Sequence, residues 1–311
     1  MTPEPVSRLE HILRQGEFAV TAECGPPRGA SANVIREKGK LLEGFVDAVN
    51  VTDNQTAIVR MSSIAACAHL QQMGLEPVMQ MVTRDRNRIA LQSDILGAYS
   101  LGIRNILCLS GDHQTFGSHP DAMNVYDIDS MNLLHMIRTM GSEGTDMSGF
   151  ELDEAPRMFV GAAANPFADP FEYRVIRLEK KMEAGADFIQ TQCVYNLERF
   201  KAWLGIAREE GLTERVFILA GITPLKSATM ARYMSTKVAG MDIPDDIIKR
   251  IAGVPKPQAA AEGMKICLET IQELRELEGI HGIHIMAIES EDKVGEIVER
   301  AGLSPRPLIE V

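Results

Sequence analysis

Short runs of apolar and β-branched residues recur along the chain, and most are followed by a longer stretch with apolar positions at helical spacing. Eight such runs predict strands at Phe18–Glu23, Val46–Thr52, Glu76–Val82, Asn105–Ser110, Met158–Ala163, Phe188–Gln192, Val216–Gly221 and Gly282–Ile288. Several are apolar on both faces, as a strand buried in a parallel sheet is. Helices are predicted at Ala32–Leu42, Ala57–Met73, Arg86–Leu101, Ile128–Met140, Pro170–Ala184, Asn196–Glu210 and Leu225–Tyr233. An extra helical stretch falls within about 237–280 (Pro244 to Glu278), and Glu291–Ala301 closes the chain. Gly102 and Gly185 stand where a helix must stop before the next strand.

Eight β-then-α units predict an α/β fold, a (β/α)8 TIM barrel forming a single domain over 1–311. A doubly wound open sheet uses the same alternation. The lack of a GxGxxG after the first run, and a strand count sufficient for closure, favour the barrel. Two long loops are expected. His113–Tyr126 follows the fourth strand on the catalytic face, and Gly141–Pro156 precedes the fifth on the opposite face.

Charge and composition narrow the function. The 311 residues include 43 acids and 32 bases, a net charge of −11. That excess argues against nucleic acid and against anionic membrane surfaces as partners. No apolar run approaches the roughly 20 residues of a membrane helix. The polar start, MTPEPVSRLEHILRQGEF, lacks a signal core, so a soluble cytoplasmic protein is expected. Cys24, Cys67, Cys108, Cys193 and Cys267 form no CxxC pair, and the seven histidines form no HExxH. Neither a disulfide framework nor a metal site within this chain is expected.

Barrel enzymes carry their chemistry at the C-terminal ends of the strands. Polar residues gather there: Glu23; Thr52, Asp53 and Asn54; Gln80 and Thr83; Ser110, Gly111 and Asp112; Asn165; Gln190 and Gln192; Thr223. A lone acid after a strand serves equally well as the cap of the next helix. An amide inside an apolar strand, such as Gln192, is costly unless satisfied. Acids and amides without a nucleophile–histidine pair point to a bound organic cofactor.

The motifs at these strand ends resemble the methylenetetrahydrofolate reductase family. They are TAECGPPR (Thr21–Arg28), NVTDN (Asn50–Asn54), LSGD (Leu109–Asp112), AANP (Ala163–Pro166), RLEKKMEAGADFIQTQ (Arg177–Gln192) and AGITP (Ala220–Pro224). Their order and spacing carry the resemblance from about Phe18 to Leu303. It implies flavin-dependent reduction of 5,10-methylenetetrahydrofolate to 5-methyltetrahydrofolate in one-carbon metabolism. It also implies Glu23 as general acid, Asp112 beside flavin and pterin, and Gln192 orienting the pterin, so that Glu23, Asp112 and Gln192 bind the folate. Thr52, Gln80, Ser110, Gly111, Asp112, Asn165, Lys180 and Lys181 fall at flavin-contact positions, the lysines serving phosphate.

Departures from the family pattern refine this. Ser110 replaces an Arg, Gln80 a His and Asn165 a Tyr, while Arg174 stands where an acid holds the adenosine ribose. FAD is the expected flavin, with FMN as the alternative. Ala228 replaces a Phe that stacks on NADH, Ser290 an Arg that can bind the folate tail, and Met286 a common Tyr. NADH as direct donor is thereby disfavoured. The chain is most similar to the form of anaerobic one-carbon pathways, which implies an iron–sulfur or zinc-bearing partner subunit as electron donor, with homo-oligomers also compatible. Two other readings share these residues: a flavin- and folate-binding subunit active only in a larger redox complex, and a pterin methyltransferase barrel without flavin.

Overall fold

All eight strands pair in parallel, each with its sequence neighbours, and the last pairs with the first. The computed structural model describes residues 4–287 and 290–309. The strands are β1 (Ala19–Cys24), β2 (Ala48–Val51), β3 (Pro77–Val82), β4 (Asn105–Leu109), β5 (Phe159–Ala164), β6 (Phe188–Cys193), β7 (Phe217–Ile222) and β8 (Gly282–Ile285). They form a closed (β/α)8 barrel, and the open doubly wound sheet is excluded.

Helix α1 (Arg8–Arg14) precedes the barrel. Helices α2 (Ala32–Leu42), α3 (Ser63–Gln71), α4 (Arg88–Ser100), α5 (Ser130–Glu143), α6 (Tyr173–Glu183) and α7 (Leu197–Glu209) follow the first six strands. Strand β7 is followed by α8 (Ala228–Lys237), α9 (Asp245–Ala252) and α10 (Ala259–Arg275), and α11 (Val294–Arg300) follows β8. The stretch expected from Pro244 to Glu278 is therefore two helices, broken around Pro255, whose ring removes a backbone donor. The helix expected from Ala57 begins instead at Ser63, capped by the Ser62 hydroxyl. Asn54, Thr56 and Ala57 adopt left-handed φ of 43°, 56° and 53°, which an α-helix does not admit. Ile288, the last residue of the expected eighth strand, lies outside the described residues.

The lower lumen is apolar. Ala48, Val78, Leu107, Phe159, Phe188 and Leu219 pack with Leu9, Ile12 and Leu13 of α1, which seals that end. Phe159 and Phe188 stack with ring centroids 5.0 Å apart. A Cβ at Gly161 would sit 2.2 Å from the Phe188 ring, so glycine makes room for it. Glu76, just before β3, accepts the Arg8 and Leu9 amides at 2.6 and 2.8 Å and anchors the start of α1. Among the described residues, no helix is long and apolar enough to cross a membrane.

An ion pair fixes the same end. Asp47 has a fully buried side chain and accepts the Val20 amide at 2.8 Å. Arg306, with 6% of its side chain exposed, donates Nη2 to Asp47 Oδ2 at 2.5 Å and to the Phe18 carbonyl at 2.7 Å. Removing one partner of a buried pair strands the other charge. Arg306→Ala is expected to lower unfolding free energy by about 3–5 kcal/mol, read as a lower urea midpoint; a change within about 0.5 kcal/mol would contradict this account.

Candidate active site

Strand alternation turns every second residue toward the lumen, so Thr21 and Glu23 on β1, Gln190 and Gln192 on β6, and His284 on β8 with Met286 just beyond it follow one another upward. At mid-height the polar residues satisfy one another. Asn50 Nδ2 donates to Gln190 Oε1 at 2.7 Å and Gln190 Nε2 donates back to Asn50 Oδ1 at 3.0 Å. Since β2 and β6 stand opposite in the ring, this amide pair spans the lumen. Thr21 Oγ1 lies 2.9 Å from His284 Nδ1 and accepts from Gln190 Nε2 at 3.4 Å. Burial pushes the His284 imidazole down to about 3, so it is neutral at physiological pH. The layer is polar, largely satisfied and uncharged.

Above it opens a cavity of about 390 Å³. Its wall includes Glu23, Gln80, Asn165, Lys181, Gln190, Gln192 and His284, with apolar surface from Leu107, Leu109, Ala163, Ala164 and Met286. Arg174 and Arg177 complete it from α6. A larger groove is lined by residues 195–198, at the start of α7, and by α9 and α10, and shares no residue with this cavity.

Among the described residues Glu23 is the sole carboxylate of this wall. Among the described residues its carboxyl makes no hydrogen bond. Burial, with a smaller contribution from the Glu291 charge, raises its pKa to about 7, against the opposing pull of Lys38 and Arg60. Those two cations are engaged in holding the turn after β1. Lys38 Nζ donates to the Gly25 carbonyl at 3.1 Å and to Glu291 Oε1 at 2.5 Å, while Arg60 Nη1 donates to the Pro26 carbonyl at 2.9 Å. The Pro-Pro-Arg turn thus ends strand β1 with the acid at its mouth.

The sequence-predicted site residues divide. Glu23, Gln80, Asn165, Lys181 and Gln192 share the cavity wall. Gln192 is half-buried, with Nε2 donating to the Ala239 carbonyl at 3.4 Å. Thr52, Ser110, Gly111, Asp112 and Lys180 do not line it. The Thr52 hydroxyl is buried on Gln55 Oε1. Gly111 turns the chain with φ +85°, and the half-buried Ser110 gives its carbonyl to the Arg84 amide at 3.2 Å. Asp112 is exposed at the rim, where Oδ2 accepts the Thr56 amide at 3.2 Å. Lys180 is exposed on the outer side of α6. Asp53 is engaged by Arg86 at 2.7 Å and by the Val82 amide at 3.0 Å.

Sequence reasoning missed Arg177 and His284 as cavity residues. Two-residue spacing within the strand was the available signal for His284, and three- and four-residue spacing on α6 (174, 177, 181) for Arg177.

With this geometry in view, the model of the methylenetetrahydrofolate reductase family matches residues 8–302. The chain belongs to that family. Among methylenetetrahydrofolate reductases it is similar to a probable NADPH enzyme of Caenorhabditis elegans, at 25% identity over 95% of this chain and 44% of the relative. It is also similar to methylenetetrahydrofolate reductase 2 of Schizosaccharomyces pombe, at 26% identity over 94% of this chain and 46% of the relative. The chain thus spans less than half the length of these reductases. In fold it is similar to an uncharacterized protein from Clostridium thermocellum that binds two copies of 5-methyl-5,6,7,8-tetrahydrofolic acid (TM-score 0.62, 15% identity, 95% of this chain and 98% of that one). A 2,3-dimethylmalate lyase shares the fold at TM-score 0.50 and 11% identity, over 96% and 88% of the two chains.

The state of Glu23 has a consequence for stability. A carboxyl whose folded pKa lies above its unfolded value stabilises the fold below the unfolded pKa, near 4.5, and loses that contribution as pH rises through about 7. Glu23→Gln is therefore expected to be more stable than the parent at pH 8, by up to about 3 kcal/mol, with the difference vanishing near pH 4. Thermal melts across that range test it, and a parent more stable than the variant at pH 8 would contradict the assignment.

Proposed function

We propose that this chain reduces 5,10-methylenetetrahydrofolate to 5-methyltetrahydrofolate at the barrel mouth, using a bound flavin. The observation that carries the reading is Glu23, a carboxyl without a hydrogen-bond partner among the described residues, protonated up to about neutral pH on a cavity wall. Family membership and the reductase names of the relatives support it. So does the folate bound by the Clostridium thermocellum protein of like fold.

The wall fits a flavin. Leu107, Leu109, Ala163, Ala164 and Met286 offer apolar surface to a planar ring. Gln80 and Asn165 offer amides to its polar edge, and the α6 cations face an anionic tail. When bound, the flavin supplies the hydride.

The protein's own part is proton and charge management. The bridging carbon of the substrate is held by two nitrogens, and one carbon–nitrogen bond must open before reduction. Glu23, neutral near pH 7, gives its proton to the departing nitrogen. The open form carries positive charge, and Asp112 supplies the compensating carboxylate from the rim. The Gln192 amide orients the pterin. The neutral layer of Thr21, Asn50, Gln190 and His284 beneath adds no charge that would hold Glu23 ionised.

Electron supply by a partner protein, of iron–sulfur or zinc-bearing type, belongs to this reading, as does a cytoplasmic setting. Ala228, the first residue of α8, presents no ring on which a nicotinamide could stack.

The purified protein is expected to show a flavin spectrum, or to acquire one on reconstitution. Glu23→Gln should keep the flavin and lose about 10²–10⁴-fold in folate turnover. In the parent, kcat/KM should fall as pH rises past about 7, where Glu23 loses its proton. A colourless protein that no flavin reconstitutes, or a Glu23→Gln variant with full turnover, would overturn the proposal.

A further inference from the structure

Two amides of the mouth wall, Asn165 and Gln192, share one neighbour, the segment 238–244 that joins α8 to α9. Both ends of the Gln192 amide are engaged. Oε1 accepts the Cys193 amide at 3.0 Å, and Nε2 donates to the Ala239 carbonyl at 3.4 Å. A backbone N–H only donates and a carbonyl only accepts, so the two contacts admit a single orientation of the side-chain amide. One hydrogen on Nε2 and one lone pair on Oε1 are left over, a donor and an acceptor in one plane. Asn165 is held in a similar way. Its Oδ1 accepts the Phe167 amide at 3.0 Å, and its other end packs directly on Gly240, where a Cβ would lie 2.0 Å from Nδ2. Gly240 reaches that contact with a left-handed φ of +80°, which glycine adopts freely.

The segment is tied down at Asp242. Its Oδ2 accepts from Asn196 Nδ2 at 3.0 Å and from Arg199 Nη1 at 3.4 Å. Arg199, in the first turn of α7, lies between two carboxylates. Its Nη2 donates to Asp169 Oδ1, in the loop after β5, at 2.5 Å, and its guanidinium carbon lies 5.3 Å from the centre of the Phe171 ring. One guanidinium therefore joins the loop after β5 to the segment after α8, beside the end of β6. Arg199 and Asp242 are both half-buried, so the pair adds little to global stability. Its effect is local.

We propose that Asp242 is a positioning residue of the mouth: it seats residues 239–241 as a strap on Asn165 and Gln192, and the strap fixes which edge of the Gln192 amide a bound pterin meets. This inference rests on the folate reading above and names what holds the orienting amide in place.

The test uses the full chain saturated with flavin, titrated with 5-methyltetrahydrofolate and assayed for folate turnover. Asp242→Ala is expected to raise Kd and KM at least about fivefold and to leave kcat within about twofold of the parent. Asp242→Asn, whose amide oxygen can still accept from Asn196 and Arg199, should recover most of that loss, which a general loss of stability would not allow. Gly240→Ala should raise KM in the same way by pushing the strap off Asn165, so the test stands even if Asp242→Ala misfolds. Parental Kd and KM in Asp242→Ala and Gly240→Ala, or an Asp242→Asn variant no better than Asp242→Ala, overturns the positioning role and leaves the folate reading intact. A parent that binds no 5-methyltetrahydrofolate overturns the folate reading, and the role of the strap with it.

Discussion

The pairing of β8 with β1 is the contact on which the rest depends. It sets Ala19 beside Gly282 and Thr21 beside His284, residues more than 250 positions apart. Without that seam the last strand leaves an open edge, and the ring of strand ends becomes a row. The hydrogen bond between Thr21 and His284 exists only because the sheet closes, and so does the amide pair that Asn50 and Gln190 make across the lumen. Closure also turns an ordinary strand-end glutamate into one facing a confined space.

The mouth separates two electrostatic tasks. Glu23 keeps its proton because it is withdrawn from water and because Glu291 offsets part of the pull of Lys38 and Arg60. The cations that act on it are these two, both committed to backbone carbonyls of the β1 turn. The three α6 cations border the same cavity from another wall and do not figure among its charged influences. A carboxyl paired directly with a guanidinium would ionise. Spacing between the two charged regions lets one cavity hold both.

Much of this architecture was legible as alternation. Each strand position was recovered to within a few residues, because buried parallel strands read as apolar runs regardless of their neighbours. Helix starts were harder. The backbone from Asn54 to Ala57 is left-handed at three of four residues, held by the Arg60 amide on Asn54 and the Asp112 carboxylate on Thr56, contacts no periodicity encodes. The rule of polar strand ends located Glu23, Gln80, Asn165 and Gln192, since strand geometry dictates where those side chains face. It did not resolve Asp112 or Ser110, because beyond Leu109 the chain turns through the left-handed Gly111. Nor did it separate Lys181 from Lys180; adjacent residues on a helix point about 100° apart, and only packing says which faces in.

Helix α1 gives the barrel a floor. Leu9, Ile12 and Leu13 close the lumen below, Phe159 and Phe188 fill it above them, and Glu76 tethers the helix by its first amides. Traffic through the molecule is therefore one-ended. Whatever departs from the cavity must use the doorway by which it arrived, and a molecule seated across that doorway detains anything deeper. Two reactants that need the same chamber must queue.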